Sequence, residues 1–198
     1  MLLNIFILAI FLICVSMTWT EGLWTNTLTC FNAIFAAIIA TNYFEPVADV
    51  MQDNIAKSFT YFWDFLSLWG LNAFAFIFLR TCTDQFSTTR VRFRLPLDKL
   101  GAGLLGLLTG WVVVCFFLFT VHTAPLEQKA FGGKFGNEPK SDNFYLAPDR
   151  LWLGFMQSRS ETIFSGAANT FDPDSVFILK YGQRRKEFTK TPKMTVKL

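Results

Sequence analysis

His122 is the single histidine among 198 residues, so any nucleophile–base pair of the serine-hydrolase kind would have to be built on it. It stands between Val121 and Thr123 at the end of an apolar run, a position that suits an interfacial ring better than a general base. Asp172-Pro-Asp174 offers two carboxylates. Calcium asks for about six to eight oxygens, so this pair reads as a turn former. Cys14, Cys30 and Cys115 lie inside apolar runs and Cys82 just past one; none has metal-ligand spacing, and all four read as small buried hydrophobes. No HExxH, GxSxG or Gly-Lys-Ser/Thr phosphate loop occurs. The expectation is a non-enzymatic chain with no cofactor and no metal.

A second group of polar residues sits inside apolar segments. Thr25, Asn26, Thr29 and Asn32 crowd the start of one segment, and Asp64 and Asn72 lie in the next. Asn26, Asn32, Asp64 and Asn72 could line a solute pathway in a small oligomeric channel or transport subunit. The other reading is interhelix bonding, at roughly 0.6 kcal/mol per contact on average. No charge falls near the middle of any segment, which favours bonding over a pore. Asp64 lies about 7.5 Å into its helix at 1.5 Å per residue, near headgroup depth beside Tyr61 and Trp63. It is either an interfacial carboxylate or a buried functional acid.

The elements that hold these residues follow from hydropathy. Hydrophobic residues make up 52% of the chain, mean hydropathy is +0.35 and only 17% of residues are charged, against roughly 25% in ordinary globular domains. Most charges fall in Arg80–Lys99 and after Glu127. A bilayer imposes such segregation, since a charge at a helix centre costs about 2.5–3.5 kcal/mol to insert. A net charge of +3, dispersed along the chain, argues against nucleic acid as a partner.

Four runs approach the 20 or so apolar residues that a membrane helix needs: 2–19, 23–44, 59–79 and 100–121. The first has no Lys or Arg ahead of it and no small-x-small cleavage site after it, so it reads as a retained helix rather than a signal peptide. Little more than Glu21-Gly22 separates it from the second, which predicts a tight antiparallel hairpin. Pro46 is expected to end the second helix. Val47–Ser58 beyond it has apolar residues on one helical face, either a surface amphipathic helix or a solvated linker. In the fourth run Ala102, Gly106 and Gly110 recur every four residues, a small-residue seam that lets two helix backbones approach closely.

The predicted fold is an all-α membrane protein: a four-helix transmembrane bundle over 1–122 with a small mixed extramembrane module over 123–198. Within that module Phe131–Pro139 reads as loop, Pro148–Met156 as the start of a helix and Ser175–Tyr181 as a strand. Trp152, Phe155, Phe164, Phe171 and Phe177 could make a small core, marginal without the membrane surface or a second copy. Arg184 to Leu198 reads as a basic, flexible tail. Arg80, Arg90, Arg92, Arg94 and Lys99 place the loop between helices three and four in the cytoplasm, which puts both termini outside it.

Three places in this pattern are similar to the colicin V production (CvpA-like) family. The turn Glu21-Gly22-Leu23-Trp24 resembles that family's Gly-centred entry to helix two. Phe44-Glu-Pro-Val-Ala48 resembles its exit from that helix. Asp98-Lys-Leu-Gly101 through Gly106-Leu-Leu-Thr-Gly110 resembles its glycine-spaced stretch, with Ala102 where the first glycine is usual. The chain departs from the family at Glu21, where the turn is usually basic, and at Asn4, where an acid is usual. The resemblance covers roughly residues 2–125. It implies a multi-pass bacterial inner-membrane protein acting in envelope maintenance or secretion, through assembly with itself or with envelope or secretion proteins, and with the lipid bilayer as its constant partner.

Overall fold

Apolar runs of this length become helices because a backbone without water must satisfy its own donors and acceptors. The computed structural model describes residues 2–55, 60–87, 93–127, 131, 146–162 and 171–190, and among these the regular elements are helical. They are α1 (Leu2–Trp19), α2 (Leu23–Asn54), α3 (Thr60–Phe86), α4 (Leu97–Thr123), α5 (Pro148–Thr162) and α6 (Phe177–Lys190). Three helices are long and apolar enough to cross a membrane: α2, α4 and the Tyr61–Phe86 stretch of α3. The sequence predicts a fourth in α1, which is equally apolar but shorter. At 1.5 Å per residue its 18 residues span about 27 Å, slightly under a hydrocarbon core of roughly 30 Å.

α4 touches every other helix in the chain's main contacts. Leu3 and Ile7 of α1 pack on Val114, Leu118 and Val121 near its end, and Thr18 of α1 meets Gly106 near its start, so the two run antiparallel. α2 runs alongside α4 in the same direction and α3 returns against α2. The reversal at residues 20–22 is as short as expected, but α1 leaves it to lie on α4 rather than along α2.

Several expectations fail. Pro46 does not end the second helix; it lies inside α2, which continues to Asn54. One proline removes one backbone donor, and the continuation is held by Phe44 and Ala48, both buried. Val47–Asn54 is therefore neither a separate surface helix nor a linker; positions 56–59 lie outside the described residues. Ser175–Tyr181 is not a strand. Asp172 accepts hydrogen bonds from the backbone N–H groups of Val176 (2.8 Å) and Phe177 (3.2 Å), which starts a helix there. Phe177, Tyr181 and Arg185, four residues apart, then share its buried face. The expected flexible tail is helical as far as Lys190, and 191–198 lie outside the described residues.

The start of a helix at Pro148 is as expected, in α5. Neither α5 nor α6 makes a core of its own. Trp152, Met156, Phe177 and Tyr181 join Ala37, Ala40 and Phe44 of α2 and Phe116 and Phe119 of α4 in one cluster. Phe119 and Phe177 stack at 4.9 Å between centroids, and Phe44 sits edge-on to both. Phe171 packs at the margin, Phe155 is partly exposed, and Phe164 lies outside the described residues. The marginal aromatic set found in the sequence is completed by the ends of α2 and α4.

Candidate functional site: the helix seam and the C-terminal junction

The seam residues of α4 face α1 of the same chain. A Cβ added to Gly106 would lie 2.5 Å from Thr18 Oγ1, and one on Gly110 would lie 3.1 Å from the Phe11 ring and 3.3 Å from Val15. Ala102 is buried, and its carbonyl accepts a hydrogen bond from Asn26 Nδ2 at 3.1 Å. The same Asn26 nitrogen donates to the Thr18 carbonyl at 2.9 Å, so one buried amide ties α2 to both α1 and α4. Next to it, Asp98 in the first turn of α4 accepts the Leu23 N–H at 3.1 Å, placing a carboxylate at the N-terminus of α2, where the helix dipole favours it.

Asn26, Asn32, Asp64 and Asn72 do not converge on one path. Asn32 Nδ2 donates to Thr83 Oγ1 at 2.9 Å, in a polar strip that also joins Trp24 to Ser87 and Arg80 to Thr29. Asn72 is half-buried midway along α3. Asp64 lies at the other end of α3, about 28 Å from Thr83 at 1.5 Å per residue. It is buried and paired with Arg184 of α6.

That pair opens onto a junction that sequence reasoning missed. His122 Nε2 lies 2.9 Å from Asp149 Oδ2 in the first turn of α5, with both side chains buried. Glu45 near the end of α2 receives Lys180 at 2.7 Å and the Tyr181 hydroxyl at 3.3 Å. Burial and the Glu45 charge push the Tyr181 hydroxyl above its ordinary pKa, so it remains a donor. Trp152 Nε1 reaches Thr41 Oγ1 at 3.2 Å. Between α6, the start of α3 and the end of α4 lies a narrow cleft open to the outside, lined among others by Tyr61, His122, Thr123, Tyr181, Arg184 and Arg185. Partners 27 to 136 residues apart leave no local signal. His122 was visible as the one histidine, but nothing in the sequence announces Asp149. The Phe177, Tyr181, Arg185 spacing was the one available clue, hidden by reading 175–181 as extended.

No group of three or more His, Cys, Asp or Glu side chains among the described residues is placed to hold a metal. Apolar spans, a seam of small residues and a charged junction at one end define a helical membrane protein. Residues 3–135, about two thirds of the chain, match the Colicin V production protein family, and the chain belongs to it. Comparison with curated proteins and with solved structures gives no match.

Proposed function

We propose that this member of the family is a non-enzymatic bacterial inner-membrane protein of four spans, acting in envelope maintenance or secretion by assembly. The family match carries the reading. Its support in the fold is the wide apolar surface of the helices, with Ile5, Leu8 and Leu12 of α1 and Phe74, Ile77 and Phe78 of α3 all exposed. Such a surface suits lipid. α1 counts as the fourth span because it lies along α4 from Gly103 to Val121. With the seam occupied by α1, assembly falls to other surfaces, and α5 with α6 offers polar and charged groups to recognise a partner.

Arg94 and Lys99 at the start of α4 support a cytoplasmic position for that end under the positive-inside rule, and with it an extracytoplasmic position for α5 and α6. Paired C-terminal reporters, one active only outside the cytoplasm and one only inside, test it. An outside signal supports four spans and an extracytoplasmic contact unit. An inside signal overturns the orientation.

A further inference from the structure

Arg185 is only 3% exposed, and its Nε and both terminal nitrogens make no hydrogen bond among the described residues. The acids at that end are already engaged, Asp64 with Arg184, Glu45 with Lys180 and Asp149 with His122. Burial alone pushes the Arg185 pKa down, with no carboxylate acting against it. A guanidinium still keeps its proton in proteins, so this is a buried cation whose five donors have nothing to receive them. A charge held that way is strongly destabilising unless something pairs with it.

We propose that the Arg185 cleft binds a phosphate group, supplied by the headgroup of an anionic phospholipid. The cleft opens where α3 begins and α4 ends, the depth at which headgroups lie if these helices span the bilayer. This clause rests on the spanning reading above. The planar fork of Arg185 matches two phosphate oxygens. Tyr61, Thr123 and Tyr181 line the same space, and Arg184 stands over the Tyr181 ring at 5.4 Å as a second cation at the rim. Free inorganic phosphate shares this chemistry and is the alternative source.

Thermal unfolding of the full chain in a non-ionic detergent, followed by tryptophan fluorescence, separates the two. Short-chain phosphatidylglycerol should raise the melting temperature by several degrees, because a ligand that binds only the folded state stabilises it. Inorganic phosphate at matched ionic strength should do so only if the free ion is the natural ligand. Arg185→Gln should melt higher than the parent without additive, since it removes an uncompensated charge. It should also lose the lipid-induced shift, with affinity falling at least tenfold. Arg159→Gln, an exposed cation elsewhere, should keep the shift. No shift with either probe, or a full shift in Arg185→Gln, overturns the site. Should Arg185→Gln not fold, native mass spectrometry of the parent decides: one phosphatidylglycerol retained per chain after delipidation supports the site, and none overturns it. Carbonate extraction of membranes tests the spanning reading separately. A chain that resists extraction yet shows no shift loses the site alone.

Discussion

At the Gly22 end, α2 is joined to its neighbours mainly by neutral donors, with Asn26 bonded to two backbone carbonyls, Trp24 to Ser87 and Asn32 to Thr83. At the Pro125 end the same helices are closed by charge, with Asp64–Arg184, Glu45–Lys180 and the buried His122–Asp149 contact around an aromatic core. Neutral amides cost less to desolvate than charges and, once hydrogen-bonded, mainly fix which helix faces which. Buried charges cost much more and must be matched one by one. The first end is thus mainly a structural joint, with Glu21 Oε2 and Asn26 Oδ1 its buried atoms without a hydrogen bond among the described residues. The second carries a cation in Arg185 that finds no hydrogen-bond partner among the described residues.

The largest effect should come from unbalancing the second end. His122→Leu leaves the Asp149 carboxylate buried without its 2.9 Å partner, and removing one member of a buried pair costs about 3–5 kcal/mol. The expected outcome is a large fall in melting temperature together with protease cleavage within α5 and α6 while α2 and α4 stay protected. Adding Asp149→Leu should recover most of the loss, since an apolar pair of similar volume can replace a buried ionic one. A single variant as stable as the parent would show that this contact does not hold α5 in place.

Packing at the first end should rank next. Gly106→Leu drives a side chain into Thr18, whose hydroxyl is itself bonded to the Cys14 and Val15 carbonyls at 3.0 Å and so has little freedom to move aside. Overpacking of this kind costs about 1–3 kcal/mol. Gly70 and Gly154 provide the contrast, because a Cβ there meets nothing within 4 Å. Gly70→Ala should stabilise by about 0.4–1 kcal/mol through the unfolded chain. Since the Gly106 seam faces α1, crosslinking between copies should be unchanged in Gly106→Leu even as the melting temperature falls. Loss of intermolecular crosslinks without loss of stability would move the seam to an interface between chains.

These two ends also differ in how far the sequence reveals them. The spans and the small-residue seam announce themselves through apolar length and a period of four, both local properties. Asn26 and Asn32 stand out because amides are costly in apolar runs, although their partners do not. Pro46 misleads because its local rule, a lost donor, is outweighed by the burial of Phe44 and Ala48 on either side. The run 175–181 misleads because a short apolar stretch fits a strand or a helix equally well until the Asp172 cap is known. Pairings such as Asp64 with Arg184 lie beyond any periodic signal, since they depend on how α6 folds back onto the helix ends.

The smallest effect should come from the exposed member of the charged end. Lys180 and Glu45 meet at 2.7 Å, but their side chains are 47% and 42% exposed, so water screens the pair in both folded and unfolded chains. Exposed pairs contribute about 0–1 kcal/mol, and Lys180→Gln should change the melting temperature by no more than a degree or two. The Tyr181 hydroxyl remains on Glu45 in that variant and keeps the carboxylate partly satisfied. The measurement therefore separates charge as such from charge that is buried. A loss as large as that of His122→Leu would mean that the whole charged end unfolds as one unit, and that Glu45, not the His122–Asp149 contact, is where α6 is anchored.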